Sequence, residues 1–375
     1  MFQTFDASTS PDQGPPRLKA LRAAMAAEGL DGFLVPRADA HQGEYVAPCD
    51  ERLAWLTGFT GSAGFAAVLA DKAGVFIDGR YRTQVKHQVD PGHFTPVNWP
   101  ETKLGAWLNA EAKGAAKIGF DMWLHTSDEI STLNTALTDS EAMLWPVERN
   151  LIDAIWEDRP EPVGEKIAVY PVEFAGETHE EKLVRIAEIL TEAGEGCAVL
   201  TLPDSIAWLL NIRGEDIPHN PTPQVFAIVH GDGTCDLFTA PGAASDIAGH
   251  FGDKVRLHDK SGFAAALDAL TGRVRVDPKT APFAIPAILE ERATVSEGRD
   301  PCILPKACKN PTEIAATREA HLRDGAAMVE FLAWLDATAP KGGLTEIDVV
   351  RKLEGFRRAT NALRDISFDT ICGSG

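Results

Sequence analysis

One pattern occurs twice in this chain, and it restricts the fold more than any other feature. Ala54-Trp55-Leu56 is followed after four residues by Gly61, and Ala207-Trp208-Leu209 is followed after four residues by Gly214. Each triplet is preceded by an apolar strand ending in proline, Phe33–Pro36 in one case and Ala198–Pro203 in the other. Each is followed by a strand–turn–strand: Gly64–Ala70 with Gly74–Asp78, then Gln224–His230 with Cys235–Thr239 across Gly231-Asp232-Gly233-Thr234. The same order of elements on both sides of two identical triplets reads as an internal duplication of one α/β unit.

A chain of 375 residues has room for two to three domains. The join between the copies falls at Trp156–Gly164, where Pro160, Pro162 and Gly164 disfavour regular structure, and a second break falls at Asp300–Pro305. The expected domains are therefore 1–155, 156–305 and 306–375. In the third, Asn310-Pro311-Thr312-Glu313 has the form of a helix start: Asn caps, Pro suits the first turn and Glu can return a bond. Ile314, Met328, Phe331, Leu332 and Leu335 mark one face of the long helix expected to run to Pro340. A second helix is expected over Thr345–Ala359. Ser367–Gly375 reads as the start of a strand and a turn.

Charge and cysteine usage narrow the function classes. A formal charge of −19 disfavours nucleic acid and anionic membrane as partners, since both are polyanions. No apolar run approaches the roughly 18 residues needed to span a bilayer, and the first seventeen residues lack the basic flank and apolar stretch of a signal peptide. The six cysteines form no C-x-x-C pair, which favours free thiols in a reducing compartment. The expectation is a soluble, cytoplasmic protein.

No P-loop, H-E-x-x-H or G-x-S-x-G motif is present. Gly58–Gly64 is glycine-rich but lacks the following lysine and precedes a strand, so a structural turn outweighs a phosphate cradle. His41 and Glu44 share a loop, and two such groups suit local hydrogen bonding better than a catalytic ion. Asp128 and Asp139 have the ten-residue separation of some dinuclear peptidases. Ile130, Leu133 and Leu137 put them on a helix, however, about three turns apart, too far to share a metal. Arg80, in Asp78-Gly79-Arg80-Tyr81, can fork to a protein carboxylate or to a substrate terminus. The polar loop Ile212–Pro221 contains Arg213, Asp216 and His219, which could support a site or a domain contact.

Assembled, these segments resemble the aminopeptidase P (Xaa-Pro aminopeptidase) family of creatinase/methionine-aminopeptidase-like metallopeptidases. The resemblance runs through VPRADAHQGEYVAPCDERLAWLTGFTGSAG, FIDGRYRTQ, LIDAIWEDRP, LPDSIAWLLNIRGEDIPHNP, LPKACKNPTEIAATREAHLRDGAAMVEFLAWLD and ISFDTICGSG. It implies two tandem creatinase N-terminal-like α/β domains followed by the start of a pita-bread catalytic domain. It also implies removal of an N-terminal residue that precedes proline, using two divalent metal ions, usually manganese, held by two aspartates, a histidine and two glutamates. A homodimer is implied for the full-length form. None of the ligands maps onto this chain, so no metal and no catalytic residue is expected within it, and the chain alone is expected to be inactive. The family's peptide-binding arginine maps onto Arg80. Cys372 departs from the small residue usual at its position. Two rivals stand beside this reading: a non-catalytic peptidase-like binding module, and a creatinase or prolidase, which usually has one such N-terminal domain.

Overall fold

The computed structural model describes residues 1–374. In the first unit, strands β1 (Gly32–Pro36), β2 (Gly64–Leu69), β3 (Ala73–Ile77), β4 (Thr95–Asn98), β5 (Lys117–Asp121) and β6 (Met143–Val147) form one sheet in the order β4-β3-β2-β1-β5-β6. Helices α1 (Gly14–Ala27), α2 (Arg52–Thr57), α3 (Val85–Gln88), α4 (Leu104–Glu111), α5 (Ser127–Ala136) and α6 (Leu151–Ile155) complete it. Phe33, Val35, Ala66 and Val68 face Leu18, Leu21 and Leu56 on one side of the sheet. Leu34, Ala67 and Phe76 face Leu108, Ile130 and Leu133 on the other. Both faces are covered, which is why these strands read as continuous apolar runs rather than as an alternation.

The second unit opens on β7 (Ala168–Val169), α7 (Val172–Ala175) and α8 (His179–Glu192). It continues through β8 (Cys197–Leu200), α9 (Pro203–Leu210), β9 (Ile212–Arg213), β10 (Phe226–His230), β11 (Cys235–Thr239) and β12 (Val255–Asp259). Helix α10 (Phe263–Asp268), β13 (Gly272–Val276), α11 (Ala284–Leu289), β14 (Ala293–Glu297) and α12 (Ile303–Ala307) follow. Its main sheet has the order β12-β11-β10-β8-β13-β14, the first sheet repeated strand for strand. The directions repeat as well. The first strand lies antiparallel to its hairpin neighbour and parallel to the strand beyond it, in both copies. Phe65 pairs with Phe76 in one and Phe226 with Phe238 in the other, so the register is shared.

One strand differs from its sequence expectation. Ala198–Pro203 is not all strand: β8 ends at Leu200, and Pro203 is the first residue of α9, where its missing N–H goes unneeded.

The two units meet across matching segments. Thr126 and Pro282 form an antiparallel bridge. Asp128 N donates to the Pro278 carbonyl at 3.0 Å, and Ala284 N donates to the Met122 carbonyl at 3.0 Å. With Gly32 opposite Ile118 and Cys197 opposite Val274, Met122 corresponds to Pro278 and Asp128 to Ala284. The two bonds are therefore one contact made twice about a local twofold axis.

Helix α13 (Pro311–Thr338) begins with the expected reciprocal cap: Glu313 N donates to Asn310 Oδ1 at 2.9 Å, and Asn310 N to Glu313 Oε2 at 2.9 Å. It packs against α14 (Glu346–Ala359), with Phe331 buried near Val350 and Leu353. The expected apolar face is only partly covered: Phe331 is buried and Met328 and Leu335 are half-buried, while Ile314 and Leu332 stand exposed. Residues 367–374 do not form the expected strand, and Gly375 lies outside the described residues. Thr370 N donates to Gln3 Oε1 at 2.8 Å, and Ser374 N to Glu346 Oε1 at 2.8 Å.

Lys182 is the most buried cation, at 1% exposure. Its ammonium caps the end of α9 by donating to the Trp208 carbonyl at 2.8 Å and Asn211 Oδ1 at 2.7 Å. Burial pushes its pKa down to about 8. The folded value lies below the unfolded one, so the unfolded chain binds more protons between about pH 8 and 10.4. Stability carried by this residue therefore rises with pH across that window. The melting temperature of the wild type minus that of Lys182→Met should climb from pH 8 to pH 10.5, and a difference that stays flat would contradict the shift.

Candidate functional site

Loops from three parts of the chain converge beside the end of β3. There Asp78 caps a short turn by accepting Arg80 N at 2.8 Å, and the Arg80 guanidinium folds back onto the same carboxylate, Nη2 to Oδ2 at 2.6 Å. The Arg80 side chain is 61% exposed and lies over the Tyr81 ring, 5.1 Å from its centroid. An exposed pair of this kind contributes little stability, and the arginine can exchange Asp78 for an incoming carboxylate. The hydrogen bonds between them raise the pKa of Arg80 and lower that of Asp78.

Behind Arg80, Tyr81 Oη and Ser62 Oγ share a hydrogen bond at 2.6 Å. Arg37 donates to the carbonyls of Glu44 and Ser62 and so fastens the 37–45 loop against the turn before β2. Glu44 is exposed, and its carboxylate helps to raise the Arg80 pKa. Tyr45 meets His219 of the second unit edge to face, with ring centroids 5.8 Å apart. His219 adopts a left-handed backbone, φ 66°. Its backbone N donates to Asp365 Oδ2 at 3.0 Å, and its ring nitrogens lie 3.2 Å from Asp365 Oδ1 and 3.5 Å from Asp369 Oδ1. Burial raises the Tyr45 pKa first, with the carboxylates of Glu44 and Asp369 adding to it.

The structure thus links Glu44, Arg80 and His219 through Tyr45 and Tyr81 in one cluster and adds Asp365 and Asp369, which sequence reasoning missed. Their only sequence signal is two aspartates four residues apart ahead of the terminal glycines, which has no meaning until His219 is placed. Replacing His219 with alanine should loosen this attachment. At about 1 kcal/mol for partly exposed, charge-assisted bonds, amide exchange over 365–370 should quicken about fivefold. Unchanged exchange would assign the anchoring to Gln3 and Glu346 instead.

The other singled-out residues lie elsewhere. His41 does not bond to Glu44. It is 2% exposed at the junction of the units, stacked on Phe226 at 4.3 Å, with Nδ1 2.9 Å from the Thr201 carbonyl and Nε2 3.1 Å from Lys260 Nζ. A lysine ammonium can only donate, so Nε2 accepts and Nδ1 carries the proton. Burial first, and then the charge on Lys260, drives the His41 pKa well down. Asp216 is a buried clamp, accepting from Glu165 N at 2.8 Å and Gln224 N at 2.6 Å. Arg213 lies over Tyr170, 3.8 Å from its centroid. Asp128 lies in the first turn of α5 and Asp139 beyond its end at Ala136, so the two do not share one helix as expected. Gly58, at φ 87°, ends α2 where a Cβ would sit 2.2 Å from the Gln88 carbonyl, so Gly58–Gly64 is a turn. Among the described residues, no three His, Cys, Asp or Glu side chains converge as a metal would require. No helix among them is long and apolar enough to cross a membrane.

The chain and its fold have counterparts among known proteins. The Creatinase/Prolidase N-terminal domain matches residues 17–154 and again residues 158–313. A probable Xaa-Pro aminopeptidase P of Coccidioides posadasii (strain C735) is 35% identical over 393 residues, covering 99% of this chain and 59% of that protein. One from Aspergillus clavatus is 35% identical over 381 residues, covering 96% and 57%. The X-prolyl aminopeptidase of Caenorhabditis elegans, a cytosolic enzyme with a di-nuclear active site, superposes with a TM-score of 0.87 at 31% identity, over 95% of this chain and 61% of its own. The chain spans about three-fifths of the length of these relatives.

Proposed function

The chain belongs to the aminopeptidase P family, carrying its creatinase/prolidase N-terminal domain twice, and we propose that it forms the substrate-side part of a metal-dependent Xaa-Pro aminopeptidase. In this reading 1–155 and 156–305 are the tandem domains, and 306–375 begins a pita-bread peptidase domain. The observation that carries it is the clustering of Arg80, Glu44–Tyr45, His219 and Asp365–Asp369, in a chain similar to these enzymes along nearly its whole length.

Arg80 has the chemistry for a peptide with proline in second place. Its planar fork can donate to a carboxylate or carbonyl, and the exposed pair with Asp78 orients it without fixing it. His219 has the role of a fastener, linking the second unit to the segment that carries Asp365 and Asp369. Two divalent metal ions, manganese by family resemblance, would supply a water of lowered pKa as the nucleophile. No group among the described residues fits such a centre, and in this reading its ligands would come from the part of the relatives' length that this chain does not span. A cytoplasmic homodimer is the assembly the family resemblance favours.

The test joins this chain to a segment encoding two aspartates with ten residues between them, then a histidine and two glutamates, and supplies Arg-Pro-Pro with manganese. Release of free arginine is expected. A folded, metal-loaded protein without turnover would defeat the enzyme reading and favour a peptidase-like binding module.

A further inference from the structure

The duplication supplies an internal comparison that identifies a second binding site. In each unit, a groove lies over one sheet face between the helix that follows the fourth strand and the helix that follows the fifth. Shared register makes Phe65 the counterpart of Phe226, and Trp99, one residue past Asn98, the counterpart of Lys260, one residue past Asp259. In the second unit this groove is filled. The His41 ring stacks on Phe226 at 4.3 Å and 24°, Lys260 bonds its far nitrogen at 3.1 Å, and Trp123 packs alongside.

The plug comes from a loop that only the first unit has. Nineteen positions separate Pro36 from Trp55, whereas seven separate the equivalent Thr201 from Trp208. The second unit has no loop to return the contact, so the groove of the first unit stays open. It encloses about 880 Å³ between α4 and α5, with Phe65, Leu104 and Leu133 on its walls and Trp99, 37% exposed, at its mouth. Gly105 lets the two helices approach closely; a Cβ there would stand 2.5 Å from that of Ala136. The volume is that of a small-molecule site.

We propose that this groove binds a planar aromatic ring, about the size of indole, packed against Phe65, which lines the groove with its ring also stacked on Phe76 at 4.5 Å and 13°. The exchange of Lys260 for Trp99 fixes the class. Where the second unit offers an ammonium to a ring nitrogen, the first offers the indole of Trp99, set at 80° to Phe65 with ring centroids 6.2 Å apart. The ligand edge that meets it is therefore apolar rather than hydrogen-bond accepting.

Indole is the probe, titrated into the 375-residue protein and followed by ligand-observed NMR, with its position fixed by a co-crystal. Ala106→Trp fills the groove from the exposed face of α4, and Thr132→Trp fills it from α5 should the first variant fold poorly. Saturable binding to the wild type, lost in the filled variant at unchanged melting temperature, with the ring against Phe65, is the expected result. No saturable binding up to the solubility limit, equal binding in the filled variants, or a ring placed elsewhere would overturn the assignment.

Discussion

Replacing Arg52 with alanine is expected to destabilise the protein by about 3–5 kcal/mol, the range for removing one partner from a buried ion network. Arg52 is 4% exposed and forks onto Asp153, Nε to Oδ1 at 2.7 Å and Nη2 to Oδ2 at 3.0 Å, while Nη1 donates to Asp50 at 2.8 Å. Burial alone would lower its pKa, but the bonds to Asp153 and Asp50 outweigh it and raise the value. Arg159, beyond α6, joins both carboxylates and the Cys49 carbonyl. The network thus ties α2, α6 and the inter-unit segment together on the wall of a cavity of about 960 Å³ shared by both units. Arg52→Lys keeps the charge but not the fork and should recover less than half of the loss. Urea unfolding measures both variants, and a loss below about 1 kcal/mol for Arg52→Ala would show that Arg159 suffices alone.

Arg80→Ala, in protein extended to include the metal ligands, is expected to lower kcat/KM for Arg-Pro-Pro about ten- to a hundredfold. This corresponds to one charge-assisted hydrogen-bonded contact of about 1.5–3 kcal/mol. Because the Arg80–Asp78 pair is exposed, the melting temperature should stay unchanged, which separates a substrate role from a structural one. Arg80→Lys should restore a fraction of the activity, since it offers a point charge instead of a fork. Wild-type kinetics in Arg80→Ala would remove this residue from the site.

The repeated α/β unit was legible because Trp55 and Trp208 lie on equivalent helices ahead of equivalent hairpins, and local pattern survives duplication. The start of α13 was legible for a similar reason: a reciprocal cap is written within four residues, Asn310 to Glu313. What escaped depends on partners distant in sequence. His41 and Glu44 look like a local pair, yet His41 finds Lys260 219 positions away, because the loop crosses to the other unit. Asp365 gains meaning only when His219, 146 positions earlier, is brought beside it. The strand expected to reach Pro203 fails on a local ambiguity, since a proline after an apolar run can end a strand or open a helix. Residues 367–374 have the composition of a strand, but a strand also needs an edge to pair with.

The central claim is that this chain carries the substrate side of an Xaa-Pro aminopeptidase without its metal centre. Its most direct test is to incubate the purified 375-residue protein with Arg-Pro-Pro and manganese and assay free arginine. The account predicts none above the protein-free control, and manganese-dependent release that persists through repurification would contradict it.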